Sequence, residues 1–123
     1  MRSTSIAAGL AMVTVAFIAI AGGEPTWGEN CHPTPRMSVE QSQAIKRSML
    51  PPGHQMAEFE LDHKIPKCLG GNDDRSNLQL QDWPTARLKD YGPGGEAETC
   101  RLVHSGVMSC AEGRELMRTW GRR

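Results

Sequence analysis

The strongest constraint on the fold is a pair of short alternating segments separated by a loop that contains glycine. Residues 58–62 (EFELD) and 78–81 (LQLQ) each alternate polar and apolar side chains, which is typical of a half-buried strand. The loop between them, 65–77, contains Gly70 and Gly71 and is expected to lack regular structure. We therefore expect a two-stranded antiparallel sheet, which is too small to be stable unless helices or cross-links cover it.

Helices are expected on both sides of this sheet in the sequence. Ser38 opens a capping box that begins the first helix, and a pair of prolines after Leu50 ends it. Asp82 can cap a second helix with Pro84 in its first turn, where the missing N–H costs no hydrogen bond. The predicted fold class is α+β, with the sheet flanked by an N-terminal helix and two C-terminal helices. The expected helices begin near residues 38, 82, 96 and 109.

The N-terminal residues have the pattern of an export signal. Arg2 is followed by an almost unbroken apolar run over 6–20, and a small-residue motif predicts cleavage before Gly22. This run is short for a membrane-spanning helix, so an uncleaved anchor is the less favoured alternative. Residues 1–21 are therefore predicted to be a signal peptide and residues 22–37 an extended lead-in, and the mature protein is expected to be periplasmic or secreted.

The chain has 4 cysteines and only 5% aromatic residues, which predicts a small core reinforced by disulfides. Four cysteines allow three pairings. We favour Cys100–Cys110 together with Cys31–Cys68, because the first pair brackets a short turn between helices. The alternative is a zinc site that includes Cys100 and His104, which have the i, i+4 spacing of two ligands on one helical face.

The overall charge excludes a strongly basic binding protein. The chain has 14 Lys and Arg residues against 14 Asp and Glu residues. Proteins that bind nucleic acid without sequence preference usually carry a basic excess, because their affinity comes from counterions released by phosphates. Any contact with nucleic acid is therefore expected to be local and to depend on a metal ion.

The Asp62-His63 pair at the end of the first strand carries the chemical signal. A carboxylate is a suitable ligand for Mg²⁺, which binds few protein carboxylates and keeps sites for water and phosphate. A neighbouring imidazole can take a proton from water near neutral pH. Alone, such a pair is usually a solvated turn, and Asn77 alone could simply cap a turn. Their order within strand, glycine loop, strand and helix indicates metal-assisted hydrolysis of a phosphodiester.

The run DHKIPKCLGG, followed by NLQLQ and a helix that ends in Lys-Asp, resembles the HNH endonucleases of the ββα-metal class. The likeness covers roughly residues 38–120 and is strongest over 60–90, so we expect residues 38–123 to form an HNH nuclease domain. The resemblance implies that His63 activates the attacking water, that Asp62 binds the metal, and that Asn77 holds the loop so that the His63 ring is aimed correctly.

The chain departs from this family on the second helix, where Ala86 occupies the usual position of a metal ligand. We favour Asp90 as the substitute ligand. The alternatives are Asp82, Thr85 or a water in that position, or a site that is incomplete.

Nearby cations are predicted to contact phosphates without reading bases. These residues are Lys64, Lys67, Arg75, Arg87 and Lys89, of which Arg87 and Lys89 are favoured because they lie on the second helix. The alternative is that they only balance Asp73, Asp74 and Asp82 on a solvated face.

The sequence therefore predicts an exported endonuclease of HNH type that uses Mg²⁺ or Mn²⁺ and has little sequence preference. Nucleic acid, with DNA favoured, is the expected partner, and no stable membrane association is expected after signal cleavage. The alternative function is a catalytically inactive, disulfide-stapled binding module with the same strand–strand–helix unit, the ββα finger. The sequence does not indicate the oligomeric state.

Overall fold

A computed structural model describes residues 31–122. The predicted signal peptide (1–21) and residues 22–30 of the predicted lead-in lie outside this range, and residues 31–37 contain neither helix nor strand. The predicted α+β class with a two-stranded antiparallel sheet is confirmed. The elements are α1 (Val39–Met49), β1 (Phe59–His63), β2 (Leu78–Asp82), α2 (Trp83–Tyr91), α3 (Glu96–His104) and α4 (Cys110–Arg118).

The two strands pair over their full length, from Phe59 opposite Asp82 to His63 opposite Leu78. This register places Asp62 opposite Gln79. The alternation of polar and apolar residues located both strands to within one residue at each end. Asp62 and His63 therefore lie at the end of β1, next to the loop that connects it to β2.

Side-chain caps begin three of the four α-helices within residues 31–122, namely α1, α2 and α4, where the sequence predicted them. Ser38 and Gln41 form the expected capping box at the start of α1. Asp82 accepts a hydrogen bond from the Thr85 N–H at 3.4 Å, and Ser109 accepts one from the Glu112 N–H at 3.1 Å. Each cap satisfies a backbone donor that the first turn of a helix leaves unpaired.

The core is small and lies between α3, α4 and the turn around Leu69. Leu69, Val103 and Met117 are buried together with three of the cysteines. Gly113 of α4 faces Val103 so closely that a Cβ atom would overlap the valine side chain. The absence of a side chain at Gly113 therefore allows the two C-terminal helices to pack closely.

The predicted disulfide pairing is wrong. The bonds join Cys31 to Cys110, with Cα atoms 5.8 Å apart, and Cys68 to Cys100, with Cα atoms 6.1 Å apart. Cys100 lies on the face of α3 that packs against the Cys68 turn, whereas Cys110 begins α4 beside the lead-in. The zinc alternative is excluded, since Cys100 is bonded to Cys68 and none of the four cysteines is free.

Within residues 31–122, no helix combines the length and the apolar character that crossing a membrane requires. The two disulfides are typical of proteins from an oxidising compartment.

Candidate active site

A cleft of about 610 Å³ lies at the end of β1 and between α2 and α3. Asp62 and His63, which the sequence predicted to lie in one site, both line it. The other charged side chains in its wall are Arg36, Glu60, Lys67, Asp90 and Glu96.

Three carboxylates meet in this cleft. Oxygen atoms of Asp62, Asp90 and Glu96 all lie within 4.8 Å of one another. Asp90 is in the last turn of α2 and Glu96 is in the first turn of α3. Gly95 allows the chain to reverse between them, because a Cβ atom at this position would overlap the Lys89 carbonyl. The structure thus brings the predicted ligands Asp62 and Asp90 together and adds Glu96, which the sequence analysis did not identify.

Asp62 is buried and held by two donors. The Lys89 ammonium lies 2.6 Å from Asp62 Oδ2, and Gln79 donates to the same oxygen at 2.7 Å. Lys89 Nζ also donates to the His63 carbonyl at 2.8 Å. Because both side-chain donors use Oδ2, the carboxylate is fixed in orientation while Oδ1 takes no part in these bonds.

Lys89 is only 1% exposed, and this burial disfavours its predicted contact with phosphates. Its ammonium offsets one negative charge of the acidic cleft. The sequence had instead predicted a phosphate contact for Lys89, or a place on a solvated face, where most lysines lie.

The Ala86 side chain is completely buried and does not line the cleft. The position at which the resemblance to HNH nucleases implies a metal ligand therefore faces the interior. Asp90, one turn later, is the α2 residue that reaches the other acids. The alternative ligand Asp82 instead caps α2, and the hydrogen bonds from Thr85 lower the pKa of its carboxyl.

His63 is held by a side chain from the loop. Its Nε2 atom lies 2.8 Å from Asp73 Oδ1, and Lys67 Nζ lies 2.7 Å from the same oxygen. The hydrogen bonds from Lys67 and His63 lower the pKa of Asp73, which keeps it anionic. When Nε2 carries the proton and donates it to Asp73, Nδ1 is left as the basic nitrogen. From the sequence, Asp73 was expected only to lie on a solvated face.

Asn77 holds the loop but does not line the cleft. Its Oδ1 accepts from the Ile65 N–H at 2.9 Å, and its Nδ2 donates to the Ile65 carbonyl at 3.0 Å and to the Asn72 carbonyl at 2.9 Å. Asn77 therefore fixes the chain that leaves His63 and the segment that carries Asp73, which is the kind of contact expected of a positioning residue.

The acids of the cleft destabilise one another as anions. Burial raises the pKa of Glu96 to about 7, and the negative charges of Asp90, Asp62 and Glu60 add to this increase, while Lys89 opposes it. Burial and the charge of Asp62 also raise the pKa of Asp90. Binding of a further cation to this cluster is therefore favoured, because the single buried ammonium of Lys89 does not neutralise all of its negative charges.

The raised pKa of Glu96 predicts how stability depends on pH when chelator removes free metal. Between the ordinary pKa of 4.5 and about 7 the folded state holds a proton that the unfolded state has lost. The free energy of unfolding is therefore highest below pH 4.5, where Glu96 is protonated in both states. It decreases as pH rises towards 7, by about 3 kcal/mol in total. Thermal denaturation followed by circular dichroism measures the slope of stability against pH between pH 4.5 and 7. We expect Glu96→Gln to reduce this slope. Glu98→Gln, an exposed acid on the same helix, should retain it, and an unchanged slope in Glu96→Gln would contradict the assignment.

The donors of the cleft fit a hard divalent cation. Mg²⁺ and Mn²⁺ prefer oxygen ligands, and Mg²⁺ is commonly bound through one or two carboxylates plus water and phosphate oxygens. Asp62, Asp90 and Glu96 supply such oxygens on one wall of the cleft, within reach of one ion.

Of the other predicted cations, Lys67 lines this cleft, whereas Lys64, Arg75 and Arg87 do not. Arg87 is exposed on α2. Lys64 donates to the Ser76 carbonyl at 3.1 Å and lines a separate groove. Phosphate contact by these two residues stays a prediction. The cations that do line the cleft are Arg36 and Lys67.

The chain matches no model of a known protein family, and neither the curated proteins nor the solved structures contain a match to it.

Proposed function

We propose that this protein is an exported, metal-dependent endonuclease of HNH type that hydrolyses phosphodiester bonds of nucleic acid. The observation that carries the proposal is the meeting of Asp62, Asp90 and Glu96 in the cleft that His63 lines. Acidic oxygens for a cation beside an imidazole suit hydrolysis of a phosphodiester by water, because they supply charge stabilisation and a general base.

Asp62, Asp90 and Glu96 would hold Mg²⁺ or Mn²⁺, which when bound stabilises negative charge on the phosphate and the leaving oxygen. Asp62 suits this position because Gln79 and Lys89 fix its carboxylate through Oδ2. Buried carboxylates near one another gain most from a neighbouring cation, since little water competes for their charge.

His63 would act as the general base. With Nε2 held by Asp73 at 2.8 Å, Nδ1 accepts a proton from a water molecule as that water attacks phosphorus in line with the leaving oxygen. Cleavage is expected to leave 5′-phosphate and 3′-hydroxyl ends, by resemblance to the HNH family. The imidazolium that forms is stabilised by the Asp73 carboxylate.

Asp73 is expected to act through His63. Asp73→Asn keeps the shape of the side chain but removes the charge that orients the imidazole, so kcat should fall roughly ten- to a hundredfold with little change in KM. Asp74→Asn is the matched control, since Asp74 is the exposed neighbour of Asp73. Steady-state cleavage of a fluorogenic oligonucleotide measures both constants. Equal rates for the two variants would remove Asp73 from the mechanism.

A second candidate function is a binding module that retains the ββα finger without catalysis. The buried Ala86 at the usual ligand position favours it, as does the balance of 14 basic and 14 acidic residues.

Plasmid cleavage by the oxidised protein separates the two functions. The proposed nuclease should convert supercoiled plasmid to nicked and linear forms with Mg²⁺ or Mn²⁺ and should stop when EDTA is added. No cleavage with any divalent metal, from folded protein, would favour the binding module.

A further inference from the structure

A second groove, separate from the acidic cleft, is lined by cations. It has a volume of about 300 Å³, and Lys64, Arg114 and Arg118 contribute to its wall. A pocket of about 60 Å³ shares Lys64 and Arg118 with it and is also lined by Arg122 and Trp120. Among residues 31–122, no aspartate or glutamate lines either space. We call the two together the basic groove.

Charge is therefore separated on the surface of a chain whose formal net charge is +0. The cleft that contains His63 is lined by four acids, whereas the basic groove is lined only by cations and uncharged residues. Clusters of one sign concentrate ligands of the opposite sign, and low-dielectric walls strengthen this effect.

The arginines of α4 give a reason to expect an anionic ligand. Arg114 and Arg118 have the i, i+4 spacing, and like charges at this spacing slightly destabilise a helix. Arg118 forms an ion pair with Glu115 at 2.6 Å, and both side chains are more than half exposed. The pair is bidentate, with Arg118 Nε 3.0 Å from Glu115 Oε2 and Nη2 2.6 Å from Oε1. Because the pair is exposed, solvent and salt screen its attraction, so a phosphate held by several cations can compete with Glu115 for Arg118.

The basic groove also adjoins the cleft. His63, which lines the cleft, and Lys64, which lines the groove, are consecutive residues at the end of β1, so their Cα atoms are separated by about 3.8 Å. The cleft and the groove are therefore lined by adjacent residues of the same chain segment, although successive side chains at a strand end point to opposite faces.

We propose that the basic groove binds the phosphate backbone of the nucleic acid that is cleaved in the neighbouring cleft. This inference rests on the proposed function, because phosphodiester hydrolysis next to the groove favours nucleic acid over an acidic protein. Arginine forks match phosphate oxygens in pairs, and the uncharged loop residues Asn72 and Ser76 add polar groups to the wall. The contacts hold the backbone and leave the bases unread.

Binding is measured by fluorescence anisotropy of a labelled DNA duplex in EDTA, across a series of KCl concentrations. Each of Lys64→Gln and Arg118→Gln should weaken binding by up to about fivefold. Each should also reduce the slope of log K against log salt by about 1. Arg118→Lys keeps the charge and should restore the wild-type slope.

Arg47→Gln is the control, because Arg47 is an exposed cation on α1 outside the groove and its loss changes the net charge equally. Wild-type slopes in both groove variants, or the same decrease in Arg47→Gln, would overturn the inference. Competition by polyglutamate as strong as that by DNA at equal charge would also overturn it, in favour of an acidic protein partner.

The two proposals fail in different ways. Metal-dependent cleavage with unchanged salt slopes in the groove variants would overturn the basic groove and leave the nuclease standing. Salt-dependent binding through the groove without cleavage under any metal would overturn the nuclease, and would leave the groove as the binding surface of an inactive module.

Discussion

Replacement of His63 by alanine is expected to lower the rate of plasmid cleavage by roughly a hundred- to ten-thousandfold, the contribution that a positioned general base usually makes. The side chain is the imidazole of the acidic cleft, and Asp73 holds its Nε2 atom at 2.8 Å. The variant should keep the wild-type fold and its affinity for Mn²⁺ in calorimetry, because the carboxylates that would bind the ion remain.

His54→Ala is the matched control for this measurement. His54 is about half exposed, pairs with Glu58 and does not line the cleft, so its loss should leave the cleavage rate unchanged. Added imidazole should partly restore His63→Ala, since the cavity left by the side chain can admit a free base. Cleavage by His63→Ala at the wild-type rate would remove the general base from the proposed mechanism.

Replacement of Lys89 by methionine is expected to destabilise the metal-free protein by about 3–5 kcal/mol. The variant retains most of the apolar stem but leaves the Asp62 carboxylate, which is 6% exposed, without its ammonium partner. Denaturation by urea in EDTA measures the loss. Divalent metal should restore part of the stability, because a bound cation would supply the missing positive charge and would bind only the folded state.

The double variant Asp62→Asn with Lys89→Met tests the coupling between the two charges. It should be more stable than the sum of the single effects predicts, because it leaves no buried charge unpaired. Arg87→Met, an exposed change on the same helix, should alter the free energy of unfolding by about 0.5 kcal/mol or less. A Lys89→Met variant as stable as Arg87→Met would show that the buried pair contributes nothing to the site.

Local sequence patterns predicted the strands and helices of this fold well, because side-chain alternation and helix capping depend only on residues close together in the sequence. Alternation identified both strands, since a strand with one covered face has a period of two residues. Ser38, Asp82 and Ser109 identified helix starts, since their oxygens accept the unpaired N–H groups of a first turn. The same local information placed Asp62 and His63 at one end of β1, where the structure has them.

The pairing of the cysteines could not be predicted in this way. It depends on which face of α3 packs against the turn around Leu69, and the packing of Gly113 against Val103 sets how α4 lies beside α3. The short turn between Cys100 and Cys110 suggested a bond between them, but each is bonded to a cysteine of a distant segment instead. Long-range packing therefore decided the pairing.

The roles of Glu96, Asp73 and Lys89 could not be predicted from local sequence, because each depends on contacts with other elements. Glu96 looked like an acid at the start of a helix, which helix dipoles favour everywhere, and only the glycine turn before it hinted at a return towards Asp90. Asp73 looked like a solvated loop acid. Lys89 looked exposed because burial of an ammonium depends on a carboxylate supplied by another element.

The most direct test of the account is plasmid cleavage titrated with Mn²⁺, with Asp90→Asn compared with the wild type and with Glu98→Gln as the control on α3. If the acid cluster holds the catalytic ion, Asp90→Asn will need roughly ten- to a hundredfold more Mn²⁺ for half-maximal cleavage, and Glu98→Gln will match the wild type. Cleavage that persists in EDTA, or an Mn²⁺ requirement unchanged by Asp90→Asn, would contradict it.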